Sequence, residues 1–160
     1  MEIKPYASHH RDAIVRLSLR AWTPVFDSIQ NSMDTDVYQA FYPDNNWRVK
    51  QQKAVEDVCA ASDTNVWVAI KADATVGFIA LKLHSDDSMG EIYMIAVEPD
   101  FQGHGIGTAL IEFALTWMKD AGMSMAMVDT GGDDGHAPAR HTYEKVGFEL
   151  LPIARYFKKL

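Results

Sequence analysis

The sequence predicts a mixed α/β (α+β) fold: a central, mostly antiparallel sheet of six to seven strands flanked by helices, in one domain over residues 1–160. Three observations carry this expectation. "VWVAIKADATVGFIALKL" holds two alternating apolar runs around a polar turn at residues 71–74, the pattern of a hairpin. Ile106, Ala109, Leu110, Phe113, Ala114, Trp117 and Met118 recur at helical spacing between two further strand-like runs. No internal repeat, linker or composition break divides the chain, and 160 residues suffice to bury most of the unfolded surface around one core.

Taken in order, "EIKPY" reads as a first strand. Ile14, Leu17, Leu19 and Ala21 then mark a helix with Ser8 as its cap. Between Trp22 and Trp47 the chain is irregular, aromatic and acidic, which suits a short helix among loops. A helix over residues 48–61 ends in "SDTN", and the hairpin follows. "SDDSMG" is a second polar turn, and the strand "EIYMIAV" is stopped by Glu98 and Pro99. The amphipathic helix ends at Gly122, "MSMAMVD" forms a strand, and "TGGDDGH" is a loop before a helix opening near Pro138. "FELLPIARYF" reads as a last strand.

Composition excludes several functional classes. Hydrophobic residues at 48% and charged residues at 23% fit a globular chain rather than a disordered or fibrous one. The segment "MEIKPYASHHRD" has no apolar run, so it does not fit a signal peptide, and no stretch approaches a membrane span. A cytoplasmic protein with no membrane partner is therefore expected. With 22 acidic against 15 basic residues, the net charge of -7 opposes binding to nucleic acid and favours cationic partners. Cys59 stands alone, which excludes an intrachain disulfide, and the histidines, His9 and His10 included, lack metal-ligand spacing. No metal is expected.

The stretch "AVEPDFQGHGIGTALIEFAL" places Gly103, Gly105 and Gly107 between a strand end and a helix start. Glycine makes such a start costlier to order, so it needs a reason. A glycine turn here turns backbone N–H groups toward one side, at the positive end of the helix dipole, where they bind phosphate. Thr108 and Ala109 follow Gly107 where a nucleoside triphosphate loop needs lysine and a hydroxyl residue. Thr108 also stands where a dinucleotide fingerprint needs its last glycine.

"QGHGIG" resembles the Gln/Arg-x-x-Gly-x-Gly/Ala pyrophosphate loop of the GNAT superfamily of acyl-CoA-dependent N-acetyltransferases, with Gln102, Gly105 and Gly107 at the defining positions. "EIYMIAVEPDFQG" resembles the strand and turn leading into that loop, and "APARHTYEKVGFELL" resembles the helix and strand that follow. The resemblance covers roughly the C-terminal half and implies a GNAT-like fold with acetyl-CoA as acyl donor. It implies that Ile95, Ala96 and Val97 present backbone groups to the pantetheine arm beside a strand bulge. Gln102, Gly103, His104, Gly105, Ile106, Gly107 and Thr108 would hold the pyrophosphate, with Ala139 and Tyr143 lining the same cofactor site. His136 stands where many members carry asparagine, so a helix-capping or solvent-facing role competes with a catalytic one there.

Acetyl transfer to an amine needs a neutral nucleophile, and an alkyl ammonium of pKa ~10 must first lose a proton. The resemblance places a water-activating glutamate at Glu91, with Asp129 in reserve, although a solvated glutamate at a strand start reads the same way. Tyr143 matches the tyrosine that protonates the leaving thiolate, against a plain core tyrosine beside Val146 and Phe148. For the acceptor, Trp22, Phe26 and Tyr38 offer flat apolar surface, and Asp27, Asp129, Asp133 and Asp134 offer negative charge. These features suit a small cationic molecule such as an aminosugar or polyamine. A protein N-terminus or lysine, or a non-catalytic acyl-CoA sensor, stays open, as does a homodimer.

Overall fold

The two alternating runs pair as expected. In the computed structural model, which describes all 160 residues, β2 (Asn65–Lys71) and β3 (Ala74–His84) form the hairpin. β1 (Glu2–Pro5) lies antiparallel to β2 on one side, and β4 (Met89–Val97) antiparallel to β3 on the other. β5 (Met125–Val128) closes the order β1-β2-β3-β4-β5 and runs parallel to β4. The sheet thus has five strands, not six or seven. The missing element is "FELLPIARYF", where no strand forms: Pro152 lacks an N–H for a ladder. Gly147 turns the chain at φ 97, and Leu150, Leu151 and Ile153 remain at least 70% exposed. Near its end this segment rests Phe157 edge-on against Phe41, with ring centroids 4.9 Å apart.

Helices cover both faces of the sheet. α1 (Arg11–Ser32), α2 (Thr35–Phe41) and α3 (Trp47–Ala60) precede β2, while α4 (Ile106–Asp120) and α5 (Ala137–Lys145) flank β5 in sequence. Ser8 opens a single 3-10 turn and caps nothing with its side chain. α1 then continues through Pro24, beyond the point where the sequence reads as irregular. Proline removes one backbone bond, and the Thr23 hydroxyl bonds the Leu19 carbonyl in the same turn. Burial of Ile14, Leu17, Ser18 and Phe26 carries the helix past the break. None of these helices is long and apolar enough to cross a membrane.

Two apolar clusters, one on each side of the sheet, fix its faces. Leu81, Ile79 and Ile92 pack with Ile106, Leu110, Ile111, Ala114 and Met118 of α4. Phe78, Ala80 and Ala96 pack with Ile14 and Leu17 of α1 and Val55 and Val58 of α3. Gly90 makes room for Met118, whose Sδ would lie 2.5 Å from an added Cβ. A bulge then changes the phase of β4. Ala80 faces Met94 and Leu81 faces Ile92, so Tyr93 is the extra residue. Because of it, Glu91 shares a face with Met94 and Ala96 instead of with Ile95 and Val97.

Candidate active site

The glycine loop begins where β4 ends. Glu98 donates its N–H to the Val76 carbonyl, and a 3-10 turn over Pro99–Phe101 follows. Arg20 of α1 pairs with both Glu98 and Asp100, which ties the helix to this turn. The Gln102 amide donates to the Val97 carbonyl at 3.0 Å, so this side chain braces the loop against the strand. Nδ1 of His104 donates to the Gln102 carbonyl at 2.8 Å. Gly103 and Gly105 adopt φ of 74° and 79°, which is why glycine is needed at both. Gly105 is the N-cap of α4 with no side-chain cap, and Ala109 makes the first bond back to its carbonyl. The N–H groups of Ile106, Gly107 and Thr108 precede that bond and are available to an anion. Gly107 differs from the other two. Its φ is not positive, and an added Cβ would meet only Val97 Cγ2, at 3.9 Å.

β4 and β5 separate just above this loop. Their pairing ends at Ile92 and Val128, so Tyr93 to Val97 have β3 on one side and no strand on the other. This opening lies over the α4 N-terminus and lets a chain reach the edge groups of Ile95 and the N–H of Val97, whereas the backbone groups of Ala96, expected to serve with them, alternate inward to Phe78 of β3. Tyr143 of α5 closes the α4 side. It is 7% exposed and belongs to the cluster containing Ile106, with Ile95, Val97, Phe101 and Ala139 packed against that cluster. Its ring meets Phe148 edge-on at 5.9 Å. Burial pushes the phenol up to about 12, so it stays protonated throughout the physiological range.

Glu91 occupies the opposite face of β4 from Ile92 and is partly buried, with its side chain 17% exposed. Its Oε2 lies 2.7 Å from Nε2 of His84. Sequence reasoning passes over His84. The available signal is that Lys82, His84 and Glu91 are polar positions alternating with apolar ones in two paired strands.

The expected acceptor residues divide. Phe26 stacks on Trp47 at 4.3 Å with an interplanar angle of 10°, and Tyr38 is 2% exposed with its hydroxyl bonded to Asn45. Both are core, and neither offers a flat surface to a ligand. Trp22 is half-buried and makes a T-shaped contact with Phe78, ring centroids 6.4 Å apart. Asp133 points into its own loop, where it accepts bonds from the Ser28 hydroxyl, the Gly135 N–H and His136 Nδ1. Burial alone would push its carboxyl up, but the bonds from Ser28 and His136 and the His136 charge outweigh this and hold it below the usual range. Arg140 completes the loop by donating to the carbonyls of Gly131 and Asp133. His136 is thus a loop-building residue. Asp27 and Asp134 are exposed and directly precede Ser28 and Gly135, which bond each other, and exposed Asp129 lies 4.0 Å from Arg155.

Comparison with known proteins agrees with this geometry. The chain is 32% identical over 139 residues to mycothiol acetyltransferase of Actinosynnema mirum, which covers 86% of this chain and 40% of that protein. It is 36% identical over 78 residues to the enzyme of that name from Rhodococcus opacus, covering 46% of this chain and 25% of the relative. The chain therefore spans less than half the length of these relatives. Among solved structures, the apo aminoglycoside antibiotic 6'-N-acetyltransferase AAC(6')-IG from Acinetobacter haemolyticus superposes with a TM-score of 0.69 at 16% identity, covering 100% of this chain and 99% of that one. AAC(6')-Iy in complex with the bisubstrate analog CoA-S-monomethyl-acetylneamine gives 0.65 at 16% identity, covering 99% and 97%. At such identities these superpositions establish the fold. The sequence pattern of the Acetyltransferase (GNAT) family matches residues 27–148, from α1 through the glycine loop to the end of α5, and the chain belongs to this family, whose acyl donor is acetyl-CoA.

Proposed function

We propose that this chain transfers the acetyl group of acetyl-CoA to the primary amine of a small cationic acceptor by direct attack on the thioester. The observation that carries the reading is the opening between β4 and β5, with the uncapped α4 N-terminus beneath it, Tyr143 on one face of β4 and Glu91 on the other. When bound, acetyl-CoA supplies the activated acyl group. The N–H groups of Ile106, Gly107 and Thr108 would hold its pyrophosphate, and an edge N–H of Ile95 or Val97 would polarise the carbonyl. Glu91 takes the proton from the acceptor ammonium, directly or through water, on the α1 face. Tyr143 meets the departing sulfur on the α4 face.

The phenol is a weak acid in this setting. Alkyl thiols titrate near ~8.5, so complete transfer from a phenol at about 12 is uphill by roughly 5 kcal/mol. Tyr143 therefore acts first as a hydrogen-bond donor to sulfur as charge develops, and transfer is completed as the attacking nitrogen gives up its remaining proton. Even without either side chain, positioning of the amine against the thioester leaves a residual rate.

For the acceptor, the net charge of -7 and the exposed carboxylates of Asp27 and Asp134 beside the α1 junction favour an amine carrying several positive charges. The similar proteins are named for small molecules, mycothiol and aminoglycosides, which supports a small acceptor over a protein one. We assign the whole chain to one catalytic domain. A panel containing spermidine, neamine and a lysine-bearing peptide, read as thiol release with CoA binding measured in parallel, tests the reading. Thiol release with a polyamine supports it. CoA binding without turnover on any amine would favour an acyl-CoA sensor.

A further inference from the structure

Glu91 does not stand in solvent as a lone carboxylate. Its register partner on β3 is Lys82, but the Lys82 ammonium lies over the Tyr93 ring at 4.2 Å and 3.4 Å from Asp63, and so is turned away. On β5 its register partner is Met127, which carries no charge. The one side chain bonded to the carboxylate is His84, the last residue of β3, which reaches diagonally across the ladder to place Nε2 at 2.7 Å from Oε2. The imidazole is 44% exposed and the carboxylate 17%, so the histidine stands between Glu91 and solvent. Asp86 and Asp87 follow His84 in the turn between β3 and β4.

We propose that His84 is a positioning residue for Glu91, an inference that rests on the reading of Glu91 as the base. An ionised carboxylate accepts, so His84 donates Nε2–H to Oε2, and that bond selects one rotamer of Glu91 and occupies one oxygen. Oε1 is then the atom left to receive the proton of the acceptor. The N–H bond of the ammonium breaks, an O–H bond forms at Oε1, and the freed nitrogen lone pair attacks the acyl carbon. The proton on Oε1 returns to water after transfer. Without the donor the carboxylate samples rotamers that do not face the amine, and the loss falls on turnover rather than on acceptor binding.

The test compares His84→Ala, His84→Gln, Glu91→Gln and the double variant His84→Ala with Glu91→Gln, using the best acceptor from spermidine, neamine and a lysine-bearing peptide. Gln replaces the ring donor with an amide N–H of similar reach. We expect His84→Ala to lower kcat ~10- to 100-fold with KM within ~3-fold, and His84→Gln to recover most of that loss. The double variant should be no slower than Glu91→Gln alone. In the free protein, 15N spectra of His84 should show Nε2 bonded to an acceptor in the wild type, and that signal should shift in Glu91→Leu, which has no acceptor; an unchanged signal there refutes the bond. Unchanged turnover in His84→Ala beside a slow Glu91→Gln would overturn the role of His84 and leave the base standing. Unchanged turnover in Glu91→Gln would remove the base and this inference with it. If His84→Ala does not fold, His84→Leu, which keeps bulk but has no donor, decides: near-wild-type kcat there refutes the role of His84, and a fall of ~10-fold or more supports it.

Discussion

Tyr143→Phe separates a chemical role from a packing role because it deletes one oxygen and keeps the ring that meets Phe148 at 5.9 Å. The magnitude follows from the burial of the phenol. A value of about 12, against an ordinary ~10, means that the folded state holds the neutral form by about 2 units, or roughly 2.7 kcal/mol. The sign is that of an acid whose folded pKa is raised. The stabilisation is complete below ~10 and is lost as pH climbs from ~10 toward 12, where the unfolded chain ionises first. Urea unfolding at pH 8, 10 and 12 should therefore show the wild type losing about 2–3 kcal/mol relative to the variant across the alkaline interval. At pH 8 the two should agree to within about 1 kcal/mol. Turnover at pH 8 should fall ~10- to 1,000-fold in the variant with CoA affinity unchanged. Parallel stability curves in alkali would show that the phenol is not desolvated. Turnover near that of the wild type would dismiss its part in thiolate departure.

Other consequences of the structure are open to direct measurement. Gly107→Val places a side chain in the first turn of α4 where its Cβ makes only an ordinary contact with Val97, so calorimetry should show CoA affinity falling at least ~10-fold in a protein that melts within a few degrees of the wild type. Gly105→Val is the poorer probe, because its φ of 79° would strain the fold as well, and a lower melting temperature is expected there. Asp133→Asn removes a charged acceptor from three donors and should cost about 1–2 kcal/mol at pH 7, with KM for the acceptor little changed. Since the Asp133 carboxyl is held low, its stabilisation is present above the usual carboxylate range and disappears as pH falls through its folded value. The gap between wild type and Asp133→Asn should therefore narrow in acid. Asp27→Asn should raise KM for a polyamine more than it lowers kcat, and kcat/KM should fall as salt rises; salt-independent kinetics would remove the polycationic acceptor.

Wherever one spacing had one physical solution, the sequence was legible. The hairpin, the α4 stripe and the glycine turn were of that kind, because alternation, helical periodicity and a positive φ each restrict the backbone by themselves. The extent of α1 was hidden by Pro24, since the burial that carries the helix past it comes from partners distant in sequence. "FELLPIARYF" has the apolar content of a strand, but a strand also requires a neighbour, and Pro152 and the turn at Gly147 deny it one. Phe26 and Tyr38 looked like a binding surface because aromatic residues serve a core and a ligand equally well; stacking on Trp47 and a bond to Asn45 settle which. Asp133 looked like spare charge until Ser28, more than a hundred positions earlier in the chain, supplied a donor.

The extra residue in β4 also limits how this chain can change over evolutionary time. Loss of the single codon for Tyr93 would leave every neighbouring side chain intact and yet turn one end of the strand over. If the early end turned, Ile92 would leave the α4 core and the Glu91 carboxylate would enter it, beside Met118. If the late end turned, Ile95 and Val97 would exchange places with Met94 and Ala96. Neither outcome can be repaired by substitution at one position, because the fault lies in counting and not in chemistry. Descendants of this sequence are thus free to vary the residue at 93, whose side chain is 44% exposed, but not to lose it, and alignments should show a position tolerant of substitution and closed to deletion.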